Sequence, residues 1–300
     1  MGKTVVIGSA NTDMAVKSER IPVPGETVLG GRFIMNPGGK GANQAVAAAR
    51  MGGQVTFIAK VGNDLFGRES ITSWKKEGIN VSHIVTDPEN PSGVALIMVD
   101  AKGENCISVA SGANAALRPD DLDPAAVEAA DIVLMQLETP LETVLHTARL
   151  AVAKGIPVIL NPAPAAALPD ELFACLYLIT PNETEAEILS GIKVTDDVSA
   201  QKAAEILRGK GVKNVIITMG KQGAFVSSKD FRGIIPACRV EAVDTTAAGD
   251  VFNGSLAVCL SEKMKLKEAV RTAAKAAAIS VTRLGAQSSA PYRGEVEKFG

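Results

Sequence analysis

The chain has 300 residues, a common length for one large α/β domain and enough to bury a core without disulfides or metals. Its 31 basic and 33 acidic residues give a net charge of −2, which excludes the basic excess expected of a nucleic-acid-binding protein. Hydrophobic residues make up 46% of the sequence, so we expect a folded globular protein. No apolar run is long enough for a signal peptide or a membrane span, so no membrane role is expected.

Cysteine and histidine are too few and too scattered for the usual metal or redox sites. No two of the four cysteines have the spacing of a zinc site or a dithiol pair, and only two histidines are present. We therefore expect four reduced thiols in a cytoplasmic protein.

Short apolar runs alternate with helical stretches along the chain. Buried strands are predicted at residues 5–9, 56–61, 132–135, 157–160, 177–180 and 215–218. Helices are predicted at residues 41–51, 64–77, 140–154, 183–190, 197–210, 249–260 and 265–283. This alternation predicts an α/β fold, a doubly wound and mostly parallel sheet with helices on both faces.

Two regions interrupt the alternation. Residues 12–36 and 81–110 are strand-like without a helix between their strands, which turn residues separate. We predict that they form one small antiparallel sheet, a lid inserted in two segments into a single domain spanning residues 1–300. Such a sheet has an apolar face, so it must cover a substrate cleft, a second copy of itself or both.

A glycine-rich segment, NPGGKGANQ at residues 36–44, opens the predicted helix 41–51. Its three glycines let a ligand approach bare backbone, and the helix N-terminus supplies free N–H donors. Lys40 and Asn43 add side-chain donors. The alternative is a glycine turn that only caps a core helix.

A second helix start, VDTTAAGDVF at residues 243–252, has a different composition. Ala247, Ala248 and Gly249 are small enough to present backbone N–H groups to an anion, and Asp250 falls in the first helical turn beside them. Asp250 could be there only because the helix dipole favours it, by about 0.3–1 kcal/mol. It could also accept a proton from an attacking hydroxyl. An anion hole and a base on one turn suit phosphorylation of an alcohol, which depends on positioning and charge stabilisation.

Together, GGKGAN at residues 38–43 and DTTAAGD at residues 244–250 resemble the two signature motifs of the ribokinase-like carbohydrate kinases. The resemblance covers the whole chain, through residues 42–48, 135–138, 161–164, 179–187, 282–283 and 285–287. It implies an ATP-dependent kinase that phosphorylates the 5-hydroxyl of D-ribose with Mg²⁺ and K⁺. The same chemistry on deoxyribose, on fructose or another ketohexose, or on adenosine or another nucleoside stays open.

The resemblance also implies roles for individual residues around the sugar. Sugar hydroxyls would be bound by Asn11, Asp13, Gly39, Lys40, Asn43, Glu138 and Asp250. Asp250 would be the base, beside an anion hole formed by Ala247, Ala248 and Gly249. Asp13 suits its role because a carboxylate accepts from two adjacent hydroxyls at once. Singly, Asp13 could cap a turn and Glu138 could be a first-turn helix acid, but together they follow strands, where open α/β sheets bind ligands.

Nucleotide and cation sites are implied mainly in the second half of the chain. ATP and Mg²⁺ would involve Asn182, Glu185, Thr218, Gly220, Gly223 and Gly249. Asn182 and Glu185 could also form a helix capping box, and residues 218–223 could be a hairpin turn. K⁺ would be bound, mostly by carbonyl groups, at Asp244, Thr246, Ser280, Arg283, Gly285 and Ser289. At Ala274 the chain departs from related kinases that have a histidine against adenine.

A non-catalytic sugar-binding regulator is the alternative from another functional class. It is disfavoured because Gly249 and Asp250 are both present, and a regulator needs no base beside an anion hole. The expected partners are D-ribose, ATP and a second copy of the chain, joined through the lid strands as a homodimer. No nucleic acid or membrane partner is expected.

Overall fold

The computed structural model describes residues 2–300. Thirteen β-strands are found in that range: β1 Lys3–Ile7, β2 Asn11–Lys17, β3 Arg32–Gly38, β4 Gln54–Gly62, β5 Ile84–Asp87, β6 Gly93–Val99, β7 Asn105–Ala110, β8 Ile132–Met135, β9 Val158–Leu160, β10 Leu178–Ile179, β11 Asn214–Thr218, β12 Ala224–Ser227 and β13 Arg232–Ile235. The same residues contain ten α-helices: α1 Lys40–Arg50, α2 Leu65–Lys76, α3 Pro124–Glu128, α4 Leu141–Ala153, α5 Asp170–Cys175, α6 Glu183–Ser190, α7 Asp197–Gly209, α8 Ala248–Ser261, α9 Leu266–Ser280 and α10 Arg293–Lys298.

The large sheet has nine strands in the order β13-β12-β11-β10-β9-β8-β1-β4-β5. The strands from β11 to β5 run parallel, and β12 and β13 add an antiparallel edge. The chain builds from β1 towards β4 and β5, and later resumes at β8 on the other side of β1. The strand order therefore reverses between β1 and β8, and open α/β sheets bind ligands beyond the carboxyl ends of the strands at such a point.

Helices cover both faces of the large sheet because its central strands are apolar on both sides. On β1, Val6 packs in a cluster with Ala45 of α1 and Leu256 of α8. The next residue, Ile7, packs in a second cluster with Val144 of α4, since successive strand residues point to opposite faces. The prediction of a doubly wound, mostly parallel α/β fold is confirmed.

A second sheet of four strands, called the small sheet below, has the order β3-β2-β6-β7. The prediction of an antiparallel sheet is wrong for its central pair. The outer pairs β2–β3 and β6–β7 are antiparallel, but β2 and β6 run parallel. The chain travels from β3 to β6 through α1, β4, α2 and β5, and a crossover of that length permits parallel pairing, which a hairpin turn does not.

The bounds of the small-sheet strands differ from the predicted lid segments, and β2 begins at Asn11 and β3 ends at Gly38, just outside 12–36. The segment 81–110 begins too early, because β5 belongs to the large sheet, parallel to β4. Within 12–36, strand β2 ends at Lys17 and β3 begins at Arg32, so residues 18–31 lie outside the sheet. That stretch contains two prolines and three glycines, residues that favour turns over strand pairing.

All four cysteines, Cys106, Cys175, Cys238 and Cys259, are free, as the sequence predicts. Burial raises the pKa of the Cys259 thiol to about 11, so this group stays protonated at neutral pH. Across residues 2–300, none of the helices combines the length and the apolar character that a membrane crossing requires. Packing of the two apolar clusters, rather than disulfide bonds, therefore holds the fold together.

Candidate active site

The candidate site lies beyond the carboxyl ends of β1, β8 and β9, where α1 and α8 begin. The Ser9 hydroxyl, after β1, donates to the Glu138 carboxylate, after β8. The same carboxylate accepts from the backbone N–H of Lys40, at 3.0 Å. These contacts hold the Glu138 side chain against the first turn of α1.

The glycines before and within the start of α1 are required by close packing. Gly39 has a φ of +87°, and a Cβ there would lie 2.6 Å from the backbone nitrogen of Asn11. A Cβ at Gly41 would lie 2.6 Å from the backbone nitrogen of Ser9. At Gly38 it would lie 2.3 Å from both carboxylate oxygens of Asp13. The start of α1 is thus packed against the end of β1 and the start of β2.

Asp250 lies in the first turn of α8 and is buried. Nδ2 of Asn43 donates to its Oδ2 at 2.9 Å, and Nε2 of Gln44 donates to its Oδ1 at 2.9 Å. Gly254, one turn further along α8, permits this approach, because a Cβ there would lie 2.4 Å from the Gln44 carbonyl oxygen. The two helix starts therefore meet at the Asp250 carboxylate.

Asp250, Asp13, Glu138 and Lys40 form a group of four interacting charges. Burial raises the pKa of the Asp250 carboxyl and Glu138 adds to the rise, while Lys40 and the amides of Asn43 and Gln44 oppose it. Burial also raises the pKa of Asp13, to about 6, with Glu138 and Asp250 adding to the rise and Lys40 opposing it. A raised pKa makes a buried carboxylate a stronger base than an ordinary aspartate, and fixed donors orient it, so Asp250 is suited to accept a proton.

Asn11 is held by a residue that the sequence analysis missed. Nδ2 of Asn114 donates to Oδ1 of Asn11 at 2.8 Å, and Asn114 also pairs with the backbone N–H and carbonyl of Ala10. Because its oxygen accepts this bond, Asn11 keeps its amide hydrogens for a ligand. Asn114 lies in a short 3₁₀ helix over Gly112–Ala116, where no sequence motif marks it.

The start of α8 is open, in contrast to that of α1. Ala247 adopts a left-handed conformation with a φ of 58°, which is rare for a residue with a side chain. The N–H of Ala248 donates to the Thr245 carbonyl at 3.2 Å. For the N–H groups of Ala247 and Gly249, the described chain offers no hydrogen-bond acceptor. A Cβ at Gly249 would meet no atom within 4 Å, so space for a ligand adjoins these donors.

Asn182 and Glu185 form the capping box considered from the sequence. Oδ1 of Asn182 accepts the N–H of Glu185 at 2.8 Å, and Oε2 of Glu185 accepts the N–H of Asn182 at 2.9 Å. Burial raises the pKa of Glu185, and Asp250 adds to the rise while Lys40 opposes it. Glu185 therefore lies close to the charged cluster. Its Oε1 has no hydrogen bond to any of residues 2–300, so the capping role leaves that oxygen available.

The segment after β11 forms a hairpin turn into β12, the alternative considered from the sequence. The N–H of Thr218 donates to the Pro181 carbonyl at 2.9 Å, which places the turn beside Asn182. Gly223 is required by the turn, since a Cβ there would lie 2.1 Å from the Ile235 carbonyl oxygen. A Cβ at Gly220 would meet no atom within 4 Å. Space for a ligand is therefore present at Gly220 and absent at Gly223.

The structure brings together three of the six residues expected at a K⁺ site. Asp244 accepts the N–H of Thr246 on Oδ1 and the N–H of Gly285 on Oδ2, each at 2.9 Å. Burial works to raise the pKa of Asp244, but these hydrogen bonds outweigh it and the pKa is lowered. The side chains of the other three residues bond elsewhere: Ser280 to the Ala277 carbonyl, Arg283 to Glu295, and Ser289 to the Ala286 carbonyl.

Comparison with known proteins identifies the family to which the chain belongs. Residues 1–293 match the pfkB family of carbohydrate kinases. The chain is 47% identical over 302 residues to the ribokinase of Haemophilus influenzae, covering 100% of this chain and 99% of the relative. It is 41% identical over 297 residues to the deoxyribokinase of Salmonella typhi, covering 98% of this chain and 96% of the relative.

A solved structure supports the same grouping. Arabidopsis thaliana ribokinase complexed with ribose and ATP superposes with a TM-score of 0.92 and 34% identity, over 99% of this chain and 98% of that chain. The chain therefore belongs to the pfkB family of carbohydrate kinases. The resemblance to ribokinase-like carbohydrate kinases, first noted from the two helix-start motifs, is confirmed.

Proposed function

We propose that this carbohydrate kinase transfers the γ-phosphoryl group of ATP to the 5-hydroxyl of D-ribose, giving D-ribose 5-phosphate. The observation that carries the proposal is the Asp250 carboxylate, buried between two amide donors and adjacent to the open start of α8. The solved relative that contains ribose and ATP, and the 47% identity to a ribokinase over the whole chain, support this choice of substrates.

In the proposed reaction Asp250 accepts the proton of the attacking hydroxyl. As the sugar oxygen bonds to the γ-phosphorus, the bond between that phosphorus and the bridging oxygen of ADP breaks. The N–H groups of Ala247 and Gly249, at the positive end of α8, stabilise the charge on the transferring group. The Ala248 N–H, predicted as a third donor, is paired with Thr245 and would have to exchange that bond for the phosphate.

The sugar would lie between the small sheet and the starts of α1 and α8. Asp13 and Glu138 accept from hydroxyls that do not react, and Asn11, Gly39 and Lys40 border the same space. Oδ1 of Asn43 is buried with no hydrogen-bond partner among the described residues, and a sugar hydroxyl would satisfy it. This unsatisfied acceptor supports a ligand that carries several donors, as a sugar does.

Mg²⁺ would reach the site with the nucleotide. No cluster of three or more His, Cys, Asp or Glu able to hold a metal ion is found within residues 2–300. Mg²⁺ commonly binds through one or two carboxylates together with substrate phosphates and water. The free Oε1 of Glu185, beside Asn182, fits that arrangement, and the ion would neutralise phosphate charge there.

K⁺ would bind at Asp244 and carbonyl oxygens of residues 280–289 and would order the loop that leads to Ala247. The ionised Asp244 carboxylate and backbone oxygens fit a hard cation. We expect the rate to be higher in potassium than in a bulky organic cation at matched ionic strength. Equal rates in the two buffers would contradict a role for K⁺.

A sugar panel with ATP, read by coupled ADP release, tests the substrate. We expect the highest kcat/KM for D-ribose, a lower value for deoxyribose, and much lower values for fructose and adenosine. Deoxyribose is the nearest competitor because a deoxyribokinase is 41% identical to this chain. The two oxygens of Asp13 can accept from two adjacent hydroxyls of ribose, whereas deoxyribose lacks one hydroxyl. A higher kcat/KM for any other sugar or for adenosine would contradict the proposal.

A homodimer through the small sheet is also proposed. Phe33, Met35 and Leu96 lie on the sheet face opposite Asp13 and are 60%, 47% and 55% exposed. A second copy would bury this apolar face. Wild-type protein should sediment as a dimer at micromolar concentration and Leu96→Glu as a monomer. Val198→Glu changes an equally exposed residue on α7 and should stay dimeric; a monomeric wild type would contradict the proposal.

We also propose a cytoplasmic location for the enzyme. Four free cysteines suit a reducing compartment, where disulfides do not persist. ATP, the proposed phosphoryl donor, is consistent with that location.

A further inference from the structure

The side chain of Gln44 is fully buried at the centre of a chain of amides behind Asp250. Its Nε2 donates to Oδ1 of Asp250 at 2.9 Å and to Oδ1 of Asn161 at 3.0 Å. Its Oε1 accepts from Nε2 of Gln136 at 2.6 Å. Both amide hydrogens and the oxygen of Gln44 are therefore engaged.

Chemistry permits only one orientation of the Gln44 amide. Turned over, its oxygen would face the Asp250 and Asn161 oxygens, and its nitrogen would face the Gln136 nitrogen. The Asn161 oxygen is itself oriented, because its Nδ2 donates to the Thr180 carbonyl at 3.3 Å. The chain from Gln136 through Gln44 thus ends in a donor aimed at the Asp250 carboxylate.

We propose that Gln44 is a positioning residue for phosphoryl transfer, which holds the Asp250 carboxylate in the orientation and ionisation state that proton abstraction requires. The inference rests on the proposed role of Asp250 as base. Asn43 holds the other carboxylate oxygen but also borders the sugar space, so substrate can change its bonds. Gln44 is fully buried behind Asp250, so we expect its bond to that carboxylate to be the same with and without sugar.

The charges that face Asp250 make this donor necessary. Lys40 at the start of α1 favours the ionised carboxylate, while Glu138 after β8, Asp13 on β2 and Glu185 on α6 oppose it. Burial opposes ionisation as well. With three acids against one lysine, loss of an amide donor leaves Asp250 holding its proton more tightly.

Steady-state kinetics of Gln44→Met test the proposal, because methionine keeps the length of the side chain without a donor. We expect kcat to fall about 10- to 100-fold, the loss typical of one hydrogen bond to a charged group. The KM for sugar should change by less than about threefold, and the acidic limb of the kcat–pH profile should move to higher pH. Gln136→Met, which removes only the donor to Gln44, is the matched control. It should lower kcat less and move the acidic limb of the kcat–pH profile less than Gln44→Met.

A second readout does not depend on turnover. Titration of the ¹³C-labelled Asp250 carboxyl by NMR, assigned from Asp250→Asn, should give a higher midpoint in Gln44→Met than in wild type. Should Gln44→Met fold poorly, Gln44→Glu keeps the shape and sets a second acid beside Asp250, which should raise the midpoint further. An unchanged midpoint would overturn the role of Gln44. A wild type inactive on every sugar would instead refute the proposed function, while the NMR midpoint still decides the role of Gln44.

Discussion

The starts of α1 and α8 have similar sequence patterns but are built in opposite ways. Both are runs of small residues that lead into a helix. At α1, a Cβ on Gly38, Gly39 or Gly41 would lie within 2.6 Å of another protein atom. At α8, a Cβ on Gly249 would meet nothing within 4 Å. The same residue type therefore admits the protein's own chain at one helix and leaves room for a ligand at the other.

This difference separates two tasks of the site. The packed start of α1 fixes Asp13, Asn43 and Glu138, which hold hydroxyls in the proposed reaction. The open start of α8 keeps N–H donors free beside Asp250, where charge would develop. A small residue in a helix-start motif is thus no proof of anion binding, and the space around its Cβ position distinguishes the two cases.

The largest effect is expected from Asp250→Asn, which removes the base on the α8 side and leaves the α1 side intact. Asparagine preserves size and keeps one of the two acceptor oxygens that Asn43 and Gln44 bond. It does not accept the hydroxyl proton, so kcat should fall about 10²- to 10⁴-fold. Sugar affinity measured by calorimetry should change far less. Retention of more than a small fraction of wild-type kcat would show that Asp250 is not the base.

Gly39→Ala should disrupt the close packing at the start of α1. The new methyl group would lie 2.6 Å from the Asn11 nitrogen, at a backbone φ of +87°. Overpacking costs about 1–3 kcal/mol and a left-handed alanine about 1–2 kcal/mol, so the free energy of unfolding should fall by several kcal/mol in denaturant titration. Gly220→Ala, also at positive φ but with no atom near its Cβ, is the control and should lose less stability.

Asp13→Asn, on the α1 side of the site, should weaken sugar binding and raise the free energy of unfolding. The pKa of Asp13 in the folded protein, about 6, exceeds its ordinary value of 3.8. The contribution of Asp13 to the free energy of unfolding is therefore fully present below pH 4 and is lost as the pH rises through 6. The variant should therefore gain about 2–3 kcal/mol at pH 7.5, and the gain should vanish near pH 4. Sugar affinity should weaken more than kcat falls. Thermal unfolding of wild type and variant at pH 7.5 and pH 4 tests this prediction. An equal gain in stability at pH 4 would show that the gain does not come from removing a buried charge.

Gly249→Ala tests the open start of α8 and has the smallest expected effect of these variants. Because the methyl group would meet no protein atom, the melting temperature should stay at the wild-type value. The same methyl would occupy space next to the free N–H donors, so kcat/KM for ATP should fall about tenfold, equivalent to about 1.4 kcal/mol. A lower melting temperature with unchanged kinetics would show that the start of α8 is packed against protein and does not border the ATP site.

Much of the candidate site could be predicted from the sequence because its residues follow strands or begin helices in short motifs. The motifs and the family resemblance predicted roles for Asp13, Asn43, Glu138 and Asp250. The structure places the three acids in one interacting cluster and Asn43 in a hydrogen bond to Asp250. Asn114 and Asn161 were not assigned roles. Each acts through a single side chain whose partner is distant in sequence, and an isolated asparagine carries no spacing from which to infer a contact.

The sequence by itself determined the alternation of strands and helices, the two-faced apolar core and the two helix starts. Those features depend on local periodicity and on residue size. Only the tertiary structure decided that β2 and β6 pair in parallel, that β5 joins the large sheet, and that Gln44 lies against Asp250. Gln44 and Asp250 are 206 residues apart in the chain, so their contact exists only after α1 and α8 have packed together. The same packing determines which small residues are enclosed by protein and which border open space.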